Sequence, residues 1–206
     1  MRAAICILLF VTALGSTAQE PNARLRAELE RIHDLDQRDR LNANNYGTGA
    51  QKDSVIAHMV LQDSLDLVRI TAIIDSAGWL GPEEVGAQGS QALFLVLQHA
   101  DAKPHTQEEY LPEMRLAVEE GKARPDELAM FEDRVAVNNG RLQIYGSQIG
   151  WKNGKGFVKP MTDEAHVNER RSSVGLESLE KYAERFGIRW SPPVKQERVL
   201  LFTGPK

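Results

Sequence analysis

The chain has 206 residues, with 25 Lys and Arg against 29 Asp and Glu, for a net charge of −4. Mild acidity spread along the chain excludes the basic stripe of a nucleic-acid footprint, and the length suits one domain around a single core. One cysteine, Cys6, excludes a disulfide framework and a cysteine-held metal.

Arg2 is the sole charge among the first nineteen residues; an apolar run from Ala3 to Leu14 follows, then Gly15-Ser16-Thr17-Ala18. That order reads as the n-region, h-region and small-residue cleavage site of a signal peptide spanning residues 1–18. The apolar run is about a dozen residues, short of the roughly 20 that span a bilayer, and no later stretch is long enough. The expected protein is therefore exported, to the periplasm or the medium, with no membrane span after cleavage. Cys6 leaves with the signal, so the remaining chemistry is that of oxygen and nitrogen groups. Residues 19–190 are read as one mainly helical domain and residues 191–206 as a tail.

Leu25, Leu29 and Ile32 fall on one face of a helix over 22–43, which the Asn44–Gly49 stretch breaks. A longer helix, 52–76, carries the stripe Ile56, Met59, Val60, Leu67, Ile70 and Ile74, with Gly78 as its stop. Gly78 to Pro82 reads as a turn. Ser90 would cap a third helix from Gln91 to Ala100, apolar nearly all round and hence central, with a strand as the alternative. Thr106-Gln107-Glu108-Glu109 has capping-box form, Pro112 would restart or kink that helix, and Gly121 ends it. Pro125 suits the first position of a fifth helix, reaching Ala136. Beyond Gly140 the pattern alternates at Leu142–Tyr145 and Gly156–Lys159 around Asn153-Gly154, which predicts one or two small β-hairpins. A last helix over 176–186 and a candidate edge strand over 198–202 follow. The fold class is thus mainly α, a compact helical bundle around a central buried helix, with small hairpins in the C-terminal third.

Charges interrupt the apolar stripes. Asp36 continues the Leu25–Leu29–Ile32 stripe, and Arg40 follows one turn later. Asp63 falls between Met59, Val60 and Leu67. His99 lies on the face of Ala92, Leu95 and Val96, with Gln98 beside it. Asp133 has Ala129, Met130, Ala136 and Val137 around it and Arg134 next to it. A bare buried carboxylate costs several kcal/mol, so such groups should converge on one another, on arginine or on a ligand. A shared pocket of this composition suits acid–base chemistry or anion binding, whereas the same pairs can also simply tie helices together. Other signals are weaker. Glu30-x-x-His33 occurs once and off the stripe, so it is read as a solvated face; Asp163–His166 is a lone loop cluster, and His58 lies opposite its stripe. No phosphate loop, dinucleotide fingerprint, metal-ligand spacing or nucleophile elbow is present, and nothing calls for a cofactor or a metal.

Asp36-Gln37-Arg38-Asp39-Arg40, Gly78-Trp79, Gln98-His99-Ala100, Asp133-Arg134-Val135 and Gln143-Ile144-Tyr145-Gly146-Ser147-Gln148 occur in this order. Together they resemble an uncharacterised bacterial domain-of-unknown-function family with D-Q-x-x-R, Q-H-A, D-R and Q-x-Y-G-[ST]-Q motifs. The resemblance runs from Leu25 to Leu176, with Ser147 where threonine is more usual. It implies architecture and site candidates, not a reaction, and adds Gln37, Gln143, Tyr145 and Gln148 to the residues above. The family-like Val167–Arg171 segment would bring an arginine back to the site.

Two readings follow. In the first, an exported hydrolase or lyase acts on a small anionic substrate. His99 is its general acid/base, Asp63 or Asp133 orients it, and Arg40 and Arg134 hold the anion. Asp36, Gln37, Gln98, Gln143, Tyr145 and Gln148 complete the binding wall. In the second, the same cluster holds the fold, or binds an anion, in a non-catalytic module of the cell envelope.

Overall fold

In the computed structural model, which describes residues 19–42 and 49–193, the first stripe becomes helix α1 (Gln19–Asn42) and the second becomes α2 (Ala50–Ala77). Residues 1–18, read above as a signal peptide, and the candidate strand over 198–202 lie outside the described residues. Gly78 stops α2 with φ 72° and ψ −172°, a positive-φ conformation that glycine reaches without strain, and its N–H closes on the Ile74 carbonyl. Helix α3 (Pro82–His99) follows, then α4 (Pro104–Glu119) and α5 (Pro125–Asn138). Each of these three helices starts on a proline, whose fixed φ and missing N–H suit a first turn.

Helix α3 packs against α1, α2, α4 and α5 and is the central helix. Val85, Ala92, Leu93, Phe94, Val96 and Leu97 bury its faces against Leu29 and Ile32 of α1, Leu67, Ile70 and Ile74 of α2, Met114 of α4, and Phe131 and Val135 of α5. Each fully buried aliphatic side chain here contributes about 1.5–3 kcal/mol.

Three local expectations are corrected. Helix α3 begins at Pro82, not at Gln91, bending at Gly86, and Ser90 lies inside it with its hydroxyl on the Lys122 carbonyl. Glycines at 86, 89 and the preceding turn masked that start, because their helix propensity is low. The capping box at Thr106 does not form: α4 is already under way at Pro104. Gln107 turns inward, and its Nε2 donates to the carbonyls of Leu97 and Gln98 at the end of α3. Pro112 sits within α4 without ending it.

The C-terminal third holds one antiparallel hairpin, β1 (Ile149–Lys152) with β2 (Lys155–Val158). Asn153 and Gly154 both have positive φ (53° and 74°), the two-residue turn whose twist suits a hairpin. Leu142–Tyr145, expected as a strand, is irregular backbone; Gln143 alone forms an isolated bridge to Met161. Helices α6 (Val167–Ser173) and α7 (Leu179–Glu184) follow; the final helix is shorter than the expected 176–186. A small second core of Met161, Val167 and Leu179 joins this region, with Val158, Tyr182 and Trp190 packed on it. No helix among the described residues is long and apolar enough to cross a membrane.

Candidate functional site

The interrupting charges sort into two groups, and the packing of α3 decides which belongs where. At one end of α3, α1 and α2 bring Asp36, Arg40 and Asp63 beside His99, the last residue of α3. Asp36 Oδ1 accepts from His99 Nδ1 at 2.8 Å and from Arg40 Nε at 3.0 Å; its Oδ2 accepts from Gln37 Nε2 at 2.8 Å. Arg40 Nη2 donates to Asp63 Oδ1 at 2.6 Å. The Asp36 side chain is 3% exposed, whereas those of Arg40 (26%), Asp63 (29%) and His99 (19%) reach solvent. They do so in a cleft of about 260 Å³, walled by Arg40, Val60, Asp63, Ser64, Leu67 and His99 and by the turn over 100–103.

Burial pushes the Asp36 carboxyl up, but the His99 hydrogen bond and charge and the Arg40 charge outweigh it and hold the pKa at about 2. Asp36 is therefore ionised at neutral pH and can only accept. His99 Nδ1 must carry the proton, which in the neutral ring leaves Nε2 as a lone-pair acceptor. Arg40 is spent on two carboxylates. Ser64, also on the cleft, spends its hydroxyl on the Val60 carbonyl at 2.8 Å. Lys103 on the rim makes no ion pair among the described residues.

The depressed Asp36 pKa carries a pH dependence. Its contribution is fully present above the unfolded value near 3.8 and is lost as pH falls through about 2. Urea unfolding followed against pH should lose about 2–3 kcal/mol across that window. An Asp36→Asn chain should lack this step; an unchanged acid limb in the variant would refute the assignment.

The second group lies around α5. Asp133, fully buried, accepts backbone N–H bonds from Ile144 (2.6 Å), Tyr145 (3.0 Å) and Ser147 (2.8 Å). Gln143 Nε2 donates to the Lys159 carbonyl at 2.7 Å, and its Oε1 accepts the Gln148 N–H at 2.8 Å. Gln148 Nε2 reaches Ser147 Oγ at 2.9 Å. The buried Arg171 donates to the Tyr145 and Glu177 carbonyls at 2.7 and 2.6 Å and lies over the Tyr182 ring. Gly146 has φ 74°, and a Cβ there would meet Leu179 Cδ2 at 2.8 Å, so glycine is required. The Q-x-Y-G-S-Q stretch is thus a pinned loop that joins the hairpin to the bundle.

The expected convergence is partial. Asp36, Gln37, Arg40, Asp63 and His99 come together, whereas Asp133 bonds to the loop and Gln143 and Gln148 tie that loop to itself, to the Lys159 carbonyl and to the Met130 carbonyl of α5. Tyr145 is half-buried there, and burial pushes its phenol up. Arg134 donates to Asp101 Oδ2 at 3.3 Å, so it braces the cleft-lining turn from behind; its Nε is buried without a partner, as is Oε1 of Gln98. The returning arginine, Arg171, serves the loop.

Asp101 and Lys103 of the cleft were missed; they sit just past the candidate histidine, between two helices, where a loop commonly completes a site. His33 also departs from its expected solvated face: its side chain is 13% exposed, and Nε2 contacts Gln91 Oε1 at 3.2 Å. Gln91 in turn donates to the buried Glu127, whose carboxyl burial pushes up. Because α3 lies along α1, it covers a wider arc of that helix than the apolar stripe alone. Among the described residues no group of His, Cys, Asp and Glu is disposed to hold a metal.

The model of a family of unknown function, DUF6624, matches residues 23–189, and the chain belongs to that family. No curated protein and no solved structure matches it.

Proposed function

We propose that this DUF6624 member is an exported acid–base enzyme, a hydrolase or lyase, whose working pair is Asp36 and His99 and whose substrate is small and anionic. The observation that carries this reading is the ionised, buried Asp36 holding His99 Nδ1 at 2.8 Å on the wall of an open cleft. His99 Nε2 takes a proton from water or from a substrate carbon, and Asp36 stabilises the imidazolium that forms. The proton then returns to the leaving group, so no covalent intermediate is needed. That agrees with Ser64 spending its hydroxyl on backbone.

Arg40 positions the two aspartates, and Arg134 braces Asp101. With both guanidiniums engaged, Lys103 is the group that meets the substrate anion. Asp63 carries the outer wall, and Gln37 fixes the second oxygen of Asp36. Asp133, Gln143, Gln148 and Tyr145 act through the loop over 142–148. Export rests on the charge and hydropathy order of residues 1–18.

One observation favours the alternative, a non-catalytic envelope module. The same contacts tie α1 to α2 through Arg40–Asp63 and α1 to α3 through Asp36–His99. His99→Gln separates the two readings, because a glutamine amide can still donate towards Asp36 but cannot act as a base. The wild type and this variant are to be compared on phosphate esters, carboxylate esters and hydroxy acids prone to elimination. The enzyme reading expects turnover to fall about 10²–10⁴-fold, with the melting temperature within a few degrees of wild type. Equal rates in the two proteins, or a panel that wild type leaves untouched, would refute it in favour of the module.

A further inference from the structure

Most polar groups of the cleft beside His99 are already engaged by the chain itself. Arg40 is held by Asp36 and Asp63. The Ser64 hydroxyl closes on the Val60 carbonyl, and Asp101 accepts from Arg134 and, at 2.9 Å, from Asn138. What remains for a ligand is Nε2 of His99 and the ammonium of Lys103, which stand on the same wall, where α3 ends and the turn over 100–103 begins. Between them Ala100 and Ala102 bring only methyl groups to the lining, and α2 contributes Val60 and Leu67. Val60 is 54% exposed, so its apolar surface is open to whatever enters. A few placed polar groups on an otherwise apolar lining is the composition of a small-molecule site.

We infer that the cleft takes a short aliphatic carboxylate, with the carboxylate on Lys103 and the hydrocarbon chain on Val60, Leu67 and Ala102, running past Nε2 of His99. It rests on the reading of the cleft as the working site, and it narrows the small anion to a monocarboxylate. The charges set that limit. Among the described residues Lys103 is the cation of the lining that makes no ion pair, so it matches a singly charged head. Asp63 and Asp101 on the same walls repel a phosphate dianion.

Size sets the length of the chain. At roughly 30 Å³ for each water-sized group, about 260 Å³ holds about eight or nine non-hydrogen atoms, which is the size of a six-carbon acid. The wall that carries Lys103 is fixed before a ligand arrives. The Lys103 N–H closes on the Ala100 carbonyl at 2.8 Å, and α5 holds Asp101 through Arg134 and Asn138. Asn138 also donates to Oε1 of the buried Gln107 at 2.8 Å, which ties the turn to α4. A wall ordered in advance loses little conformational entropy on binding.

NMR titration of the isotope-labelled chain with acetate, butyrate and hexanoate tests this, with hexylammonium, 1-hexanol and inorganic phosphate as controls. Affinity should rise about two- to fourfold per methylene from acetate to hexanoate, the gain from covering hydrocarbon. Hexanoate should bind about three- to fivefold more tightly than hexanol, and Lys103→Gln should remove that margin. Val60→Ser should flatten the chain-length slope. Serine and valine have similar helix propensity and the position is exposed, so the helical circular dichroism should not change. The shifts should centre on the Val60 and Ala102 methyls and the His99 ring. Equal affinity for acetate and hexanoate would overturn the proposal. So would hexylammonium or phosphate binding as tightly as hexanoate, a slope that survives Val60→Ser, or shifts centred elsewhere. Should Val60→Ser lose helix, the ligand series and Lys103→Gln decide. Binding is read without turnover, so the two readings fail separately. The expected binding series in a chain without turnover keeps this ligand and assigns the cleft to the non-catalytic module. Turnover in a chain that binds none of the carboxylates overturns the ligand and leaves the enzyme.

Discussion

Replacing Asp133 with alanine lowers the melting temperature by roughly 10–15 °C, corresponding to about 3–5 kcal/mol in a domain of this size. The side chain is fully buried, and its two oxygens satisfy the N–H groups of Ile144, Tyr145 and Ser147. Hydrogen bonds to a charged acceptor are worth about 1.5–3 kcal/mol each, so three give an upper bound well above the prediction. Water entering the space left by the carboxylate recovers part of that loss. Asp133→Asn should fall between wild type and alanine, because an amide offers one acceptor oxygen and turns an N–H₂ group towards donors. Thermal unfolding followed by circular dichroism gives the shift. Hydrogen exchange should show the amides of Ile144, Tyr145 and Ser147 losing protection in both variants. A shift under about 3 °C for alanine would mean that the loop over 142–148 has other means of support.

Asp36→Asn is expected to lower kcat/KM by about 10²–10⁴-fold, with most of the loss in kcat. The asparagine side chain is nearly isosteric, so the cleft keeps its shape. Its amide can donate as well as accept, so Nδ1 of His99 is no longer compelled to carry the proton. The tautomer with the proton on Nε2, which cannot act as a base, becomes available. The imidazolium formed in the reaction also loses its counter-charge. At neutral pH the variant should be less stable by about 2–3 kcal/mol, the worth of a carboxyl held near 2 instead of 3.8. Loss of stability with unchanged kcat would assign the pair to the fold and refute its part in catalysis. Turnover measured well below the variant's unfolding temperature keeps the two effects apart.

Helix periodicity made much of this legible in advance. Asp36 and Arg40 announce themselves because they continue an apolar stripe at the i+4 step, and their contact is one that a single helix guarantees. His99 was readable as the last residue of an apolar helix. Asp63 was readable as a carboxylate on the Leu67 face, although α2 leaves the core near it and Ile56 and Val60 are about half exposed. Asp133 was equally visible as a charge among apolar neighbours, but its partners were not. They are backbone N–H groups of a loop eleven to fourteen residues on, and loop conformation has no periodicity to read. The same gap misplaced Gln143 and Gln148, whose side chains cap backbone instead of facing the cleft. The exposed Leu61, Leu65 and Val68 of α2 went unread for another reason: they are ordinary residues in a helix, and only burial shows which apolar positions the bundle uses.

By itself the sequence determined the mainly helical class, the order of the long helices and the presence of charges on their inward faces. Hydropathy period and the proline and glycine stops are local, and local preferences survive into the fold. Tertiary structure alone decided which charges meet. Four helices contact α3, and their order and rotation around it are set by the packing of side chains distant in sequence. That packing joins Asp36 of α1 to His99 of α3 and sets both on a cleft, while it commits Asp133, on an equally apolar face, to the loop.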